Sequence, residues 1–82
     1  MSRSETRNPT AAEVFGERLR VVQAERQLKT EEAARELEVG LRLYQMWRAG
    51  QLPCMKNLLK LAHFYGVSAG WLLGDDTSQE VA

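Results

Sequence analysis

Residues that commonly carry catalytic or metal chemistry are sparse in this chain of 82 residues, which has one histidine and one cysteine. Neither His63 nor Cys54 has partners at the spacings that metal sites or activated nucleophiles use. We expect His63 to be a half-exposed surface residue and Cys54 to be a weak helix cap. The acidic run from Glu31 to Glu38 is typical of a solvated helix face. We therefore predict no enzyme activity, no metal site and no cofactor.

The most informative stretch predicts two short helices joined by a tight corner. The first helix is expected from Thr30 to Leu37, and the second from Leu41 to Ala49. Tyr44 and Trp47 are three residues apart, so they share one face of the second helix. A corner of three residues that includes Gly40 is too short to cross a domain, and the helices must meet at an angle. This pattern indicates a helix-turn-helix unit.

Further helices are predicted on both sides of this unit. Thr10 and Glu13 have the spacing of a capping box, which marks the start of an amphipathic helix. Glycine and proline breakers separate the remaining helical patterns, and no strand pattern is found. The fold class is therefore all-α, with five short helices. The three outer helices are expected from Thr10 to near Arg26, from Cys54 to Tyr65, and from Ser68 to Gly74.

Composition predicts one small domain in a reducing compartment. The apolar fraction is 44% and the formal net charge is zero, so no global attraction to nucleic acid is expected. Neither a signal peptide nor a membrane span is found, and a single cysteine favours the cytoplasm. We expect a flexible N-terminus at residues 1–9, a folded domain at residues 10–74 and an acidic flexible tail at residues 75–82.

Ordered motifs that extend over all five predicted helices resemble a known family. They include Phe15-Gly16-Glu17-Arg18-Leu19-Arg20, Asn57-Leu58-Leu59-Lys60-Leu61-Ala62, Gly66-Val67-Ser68 and Trp71-Leu72-Leu73-Gly74. The chain resembles a lambda-repressor-like (Cro/repressor, Xre-type) helix-turn-helix DNA-binding domain from Phe15 to Gly74.

The resemblance implies a sequence-specific transcriptional regulator of double-stranded DNA, expected to be a repressor of phage or toxin–antitoxin type. Members of this family insert the third helix into the major groove and bind paired half-sites as dimers. Base reading is assigned to Leu41, Arg42, Gln45 and Met46. Contacts with DNA phosphates are assigned to Lys29, Thr30, Arg48, Gln51 and Lys56. The homodimer contact is assigned to Trp71, Leu72 and Leu73. Phosphate neutralisation would further draw on Arg20 and Lys60.

Departures from the family pattern concentrate around the helix-turn-helix unit. Glu38 stands at a corner position that is usually glycine, and Gly40 stands where a serine or threonine usually caps the third helix. Lys29 replaces the usual small cap of the second helix, so we expect capping to shift to Thr30.

A further departure affects an ion pair that many family members make between the first and third helices. The matching positions here are Gln23 and Arg48, so no unpaired carboxylate remains. We expect Arg48 to be partly exposed, to face a phosphate, and not to be buried against Gln23.

A second function stays open at this point. Leu41, Leu43 and Met46 would form an exposed apolar strip on the third helix, which suits a protein partner better than DNA. On this alternative the helix-turn-helix fold serves as a protein–protein interaction module.

Overall fold

The structure, a computed structural model, describes residues 9–75, and these residues form five α-helices without a strand. Most of the predicted flexible N-terminus and acidic tail lie outside the described residues. The all-α, five-helix prediction is confirmed, with predicted boundaries within about two residues of the observed ones. The helices are α1 (Ala11–Glu25), α2 (Thr30–Leu37), α3 (Leu41–Arg48), α4 (Met55–Tyr65) and α5 (Ala69–Leu72).

Side-chain caps start the first and last helices. The Glu13 amide donates to Oγ1 of Thr10 over 3.1 Å, and the Thr10 amide donates to Oε1 of Glu13 over 3.0 Å. This is the predicted capping box, which satisfies amides that a helix start leaves unpaired. At α5, Oγ of Ser68 accepts a hydrogen bond from the Trp71 amide. Cys54 occupies the cap position of α4 but makes no side-chain cap bond.

All five helices are followed by a residue with positive φ, either at the C-cap or directly after it. Gly66 closes α4 at φ 70°, and Gly50 follows α3 at φ 107°. The equivalent residue after α2 is Glu38, at φ 60° and ψ 43°. Its left-handed conformation places Cβ near the following carbonyl oxygen, which costs about 1–2 kcal/mol for residues other than glycine. The corner therefore keeps its geometry in spite of an unfavourable residue type.

The hydrophobic core receives side chains from every helix. Its largest fully buried members are Phe15, Leu19, Tyr44, Trp47, Leu61 and Leu72. The rings of Tyr44 and Trp47 meet edge to face with centroids 6.0 Å apart, a favourable aromatic geometry. Val39 packs against this core from the corner. Because α3 contributes two of the largest buried side chains, its orientation depends on the whole core.

α3 packs against two of the other helices. α1 packs against α3 and α5, while α2 packs against α3 and α4, and α4 also packs against α5. α1 and α2 thus hold α3 from two sides and leave one face uncovered. The fold therefore presents α3 as the exposed element of the helix-turn-helix unit.

Candidate nucleic-acid interface

The uncovered face of α3 carries two of the four predicted base-reading residues as exposed polar side chains. Arg42 and Gln45 are exposed, while Tyr44 and Trp47 on the opposite face are buried. Leu41 is 39% exposed and Met46 is half-buried. At 100° per residue, Arg42 and Gln45 are separated by about 60° around the helix axis, so they project side by side.

The predicted apolar strip on α3 is wrong in one of its three members. Leu43 is half-buried and packs against the hydrophobic core. It lies one residue before Tyr44 and four before Trp47, and this places it at the edge of the buried face. What remains exposed is Leu41 and part of Met46.

The C-terminal end of α3 is fixed to α1 by a glycine and an arginine. A Cβ atom on Gly16 would lie 2.9 Å from the Gly50 nitrogen and 3.0 Å from the Arg48 carbonyl oxygen. Only glycine therefore permits this approach between the two backbones. One turn later in α1, Nη1 of Arg20 donates to the same Arg48 carbonyl. Neither role was predicted from the sequence, although a glycine inside an amphipathic helix is a recognised sign of close packing.

Beneath α3, a chain of side-chain hydrogen bonds joins α1, α2 and α4. The hydroxyl of Tyr44 donates to Oε1 of Gln23 over 2.9 Å and lies 2.7 Å from the Tyr65 hydroxyl. Nε2 of Gln23 donates to the Leu28 carbonyl and, over 3.2 Å, to Oγ1 of Thr30. Gln23 is thus buried with its hydrogen-bonding groups paired, as burial of a polar side chain requires.

The expected capping role of Thr30 is wrong. Lys29 occupies the N-cap position of α2, and its amide donates to Oε1 of Glu32. The hydroxyl of Thr30 instead accepts hydrogen bonds from Gln23 and, over 3.1 Å, from Nη1 of Arg48. Thr30 therefore links the buried network to the surface.

Arg48 is half-buried, so it keeps the partial exposure that we expected. It is nevertheless part of the Gln23 environment, because both side chains donate to Oγ1 of Thr30. Its Nε is buried and has no hydrogen-bond partner. No carboxylate within residues 9–75 pairs with this guanidinium.

Burial keeps both tyrosines of this network protonated. It raises the pKa of the Tyr44 hydroxyl far above its ordinary value. Burial likewise raises the pKa of the Tyr65 hydroxyl. The nearby guanidinium of Arg48 lowers both values but is the smaller influence.

Two of the cations expected to contact phosphates donate hydrogen bonds to the ends of other helices. Nζ of Lys60 donates to the Leu37 carbonyl at the end of α2, over 2.9 Å. Arg20 is bound to the end of α3 as described above. Arg20 and Lys60 thus use one donor each on a main-chain carbonyl of another helix, and their contact with phosphates stays a prediction.

The remaining predicted phosphate contacts are exposed. Lys29, Gln51 and Lys56 are exposed, and no hydrogen bond joins their side-chain ends to another residue of the described range. Lys29 precedes α2, and Gln51 and Lys56 follow α3, so these side chains lie at both sequence ends of the helix-turn-helix unit.

The predicted dimer contact is wrong at Leu72, whose exposed fraction is 0% because it belongs to the chain's own core. Trp71 and Leu73 are half-buried. The ring of Trp71 also lies 4.9 Å from the guanidinium carbon of Arg18. The most exposed large apolar side chains of the described residues are Val21, Leu41, Leu52, Met55 and Leu59, and of these the sequence patterns had indicated only Leu41.

Features of a metal site or a ligand pocket are absent from residues 9–75. These residues contain no group of three or more histidine, cysteine or acidic side chains arranged to hold a metal ion. No ligand pocket occurs on this part of the chain. None of its helices is both long and apolar enough to span a bilayer.

The chain is similar to a curated protein whose function is known from its name. The chain is 36% identical over 63 residues to the cryptic phage CTXphi transcriptional repressor RstR of Vibrio cholerae. The match covers 76% of this chain and 57% of the repressor, so the chain spans just over half the length of that relative. No protein-family profile and no solved structure matches the chain. The chain is thus distantly homologous to a phage repressor.

Proposed function

We propose that the chain is a sequence-specific DNA-binding transcriptional repressor of the lambda-repressor-like helix-turn-helix family. The observation that carries this proposal is the division of α3 into two faces. Tyr44 and Trp47 anchor it in the core, while Arg42 and Gln45 project together from the uncovered face. Distant homology to a phage repressor supports the same function, and we propose a phage or toxin–antitoxin type of regulator.

In this proposal α3 enters the major groove and reads bases through two side chains. The guanidinium of Arg42 can bind O6 and N7 of guanine, and the amide of Gln45 can bind N6 and N7 of adenine. Their neighbouring positions suit adjacent base pairs. Leu41 and the exposed part of Met46 can contact thymine methyl groups.

Phosphate contacts position the domain around this helix. Lys29 and Lys56 supply exposed charge, and Gln51 supplies an exposed amide. Arg48 and Thr30 supply donors from the edge of the core. The formal net charge is zero, so long-range nonspecific attraction to DNA is weak. We therefore expect modest affinity for random DNA and a larger share of affinity from base contacts.

We further propose that the repressor binds paired half-sites as a homodimer, since domains of this shape gain affinity by pairing half-sites one turn apart. Trp71 and Leu73 remain possible contacts, because each keeps part of its surface exposed. Light scattering at micromolar concentration, with and without DNA, tests this. A strictly monomeric mass in both conditions would contradict the dimer.

The alternative of a protein-binding module has less support. It rests on an apolar strip along α3, and Leu43 packs into the core instead of contributing to that strip. Leu41 alone does not form a contiguous apolar surface, whereas Arg42 and Gln45 give the exposed face a polar character.

The proposed function is tested by binding to mixed genomic DNA at two salt concentrations. A DNA-binding protein loses affinity steeply as salt rises, because phosphate contacts release counterions. We expect measurable binding at low salt that falls with added salt. No binding at low salt would refute DNA binding and favour the protein-binding module.

A further inference from the structure

The hydrogen bonds beneath α3 form a chain from the core to the surface, and the donor of each bond can be assigned. The single hydroxyl proton of Tyr44 goes to Oε1 of Gln23, so Tyr65 is the donor in the bond between the two tyrosines. The amide of Gln23 cannot be reversed, because its Nε2 faces the Leu28 carbonyl, which only accepts. The order of donors and acceptors in this network is therefore fixed.

Thr30 ends the network on its acceptor side. Its Oγ1 accepts one hydrogen bond from Gln23 and one from Arg48. A hydroxyl oxygen has two acceptor lone pairs, and both are thus used. The hydroxyl proton of Thr30 is left without an acceptor within residues 9–75, and Thr30 is only half-buried.

Arg48 adds further unpaired donors at the same place. Its Nη1 is bound to Thr30, its Nε is buried without a partner, and its Nη2 makes no hydrogen bond within the described residues. A buried N–H without an acceptor and a half-buried cation without a counter-ion both cost free energy. The open end of the network thus presents the positive charge and Nη2 of Arg48 and the hydroxyl of Thr30, with the buried Nε behind them.

We propose that Thr30 and Arg48 form an oxyanion-binding site that one phosphate group of the DNA backbone completes. This proposal rests on the proposed function, since DNA supplies the phosphate. The planar guanidinium suits two oxygens of one phosphate, and the Thr30 hydroxyl can donate to the same group. Gln23 is a positioning residue, held in place by its bond from Tyr44: it occupies one acceptor site of Thr30 from inside. Arg48 occupies the other acceptor site, so the Thr30 proton is left for the phosphate.

The position of this site couples phosphate binding to the placement of α3. Arg48 is the last residue of α3, and Thr30 is the first residue of α2. A phosphate bound to both would connect the two helices of the helix-turn-helix unit at their outer edge. Where family members have an ion pair between the first and third helices, this chain has Gln23 and Arg48, so the guanidinium has no carboxylate partner and the site is a property of this combination.

Inorganic phosphate tests the site on the free protein without DNA. The buried Nε–H of Arg48 gives an NMR signal that can be assigned by its absence in Arg48→Met. We expect inorganic phosphate, at constant ionic strength, to shift this signal saturably and to raise the melting temperature. Arg48→Met should lose most of that increase, and Arg48→Lys should lose part of it, because lysine keeps the charge without the fork.

Arg35→Met is the matched control. It removes the same charge from an exposed position of α2 that makes no side-chain hydrogen bond within the described residues. It should respond to inorganic phosphate as the unmodified protein does. An equal response in all variants, or no shift of the Arg48 signal, would overturn the proposed site.

Measuring DNA binding at two salt concentrations distinguishes failure of this site from failure of the proposed function. One phosphate contact contributes a slope of about 0.9 to the dependence of log affinity on log salt. The loss of affinity between about 50 and 200 mM salt should therefore be about three- to fourfold smaller for Arg48→Met than for Arg35→Met. DNA binding with an unchanged slope would overturn the site alone. Phosphate binding through Arg48 without any DNA binding would overturn the repressor proposal and leave the oxyanion site standing.

Discussion

The cations that hold helix ends differ sharply from those around the helix-turn-helix unit. Arg20 and Lys60 donate to carbonyls at the ends of α3 and α2, and Arg26 and Arg18 donate to the carbonyls of Phe64 and Trp71. Each of α2 to α5 thus has one carbonyl near its C-terminus bound by a cation from another helix. Such carbonyls have no partner inside their own helix, and positive charge also favours that end of the helix dipole.

The cations around the helix-turn-helix unit lack such bonds. Lys29, Arg42 and Lys56 are exposed and donate no side-chain hydrogen bond within residues 9–75, and Arg48 is only partly paired. The formal net charge is zero, but the cations form two groups with different roles. One set of cations stabilises the scaffold, while the other is available to an anionic ligand.

The largest expected effect concerns the contact that fixes the end of α3. Gly16→Ala should lower the free energy of unfolding by about 2–3 kcal/mol, because its Cβ would meet backbone atoms of Arg48 and Gly50 that cannot give way. Gly40→Ala is the matched control, since a Cβ there meets nothing within 4 Å. Chemical denaturation of both variants checks this. Equal stability of the two would mean that the close approach is not important.

The stability of the protein at alkaline pH tests the burial of the Tyr44 and Tyr65 hydroxyls in the core. Their raised pKa values mean that the native state keeps protons that the unfolded state releases above about pH 10. Stability is therefore fully present below this pH and should fall above it by about 1.4 kcal/mol per pH unit for each tyrosine. Tyr65→Phe should reduce the slope.

Phenolate absorbance offers a direct measurement, because the chain has only two tyrosines. The native protein should show no phenolate signal until it unfolds, whereas denaturant-unfolded protein should titrate near the ordinary value. A native-state titration near pH 10 would contradict the burial of both hydroxyls.

A pair of arginine variants compares the two sets of cations directly. Arg20→Met should lower stability by about 1 kcal/mol, because it removes a charged donor from the α3 carbonyl end. Arg42→Met should change stability by less than about 0.5 kcal/mol, as is usual at exposed sites, but should weaken DNA binding. Thermal melting and DNA titration of both variants check this. A larger loss of stability in Arg42→Met than in Arg20→Met would contradict the assignment of the two cations to different roles.

The smallest expected effect concerns the corner between α2 and α3. Glu38→Gly should stabilise the protein by about 0.5–1 kcal/mol, because glycine relieves left-handed strain but gains freedom in the unfolded chain. Glu36→Gly, inside α2, should destabilise by about 1 kcal/mol. Denaturation midpoints of the two variants should therefore move in opposite directions, and a shared direction would show that Glu38 is not strained.

Much of the fold could be predicted because its signals are local. The capping box of Thr10 and Glu13, and the glycine after α4, specify helix ends through bonds between residues close in sequence. The spacing of Tyr44 and Trp47 likewise identified the buried face of α3. Each of these signals depends on a repeat or a cap that lies within a few residues.

The site could be predicted only in part because several roles depend on contacts between distant residues. Arg20 and Arg42 are the same residue type, and only the packing of α1 against α3 brings Arg20 to a carbonyl. Leu72 looked available for a dimer, yet the fold places it in the core. The bonds from Gln23 to Tyr44 and Thr30 also depend on how α1, α2 and α3 pack together.

The central claim is that Arg42 and Gln45 read DNA bases from α3. It is tested most directly by selecting sites from a pool of random DNA with the unmodified protein and with Arg42→Ala. The unmodified protein should enrich a defined sequence. Arg42→Ala should lose preference at one base pair of each half-site, at a cost of about 1–3 kcal/mol for the best site. Enrichment of the same sequence with unchanged affinity by Arg42→Ala would contradict this account.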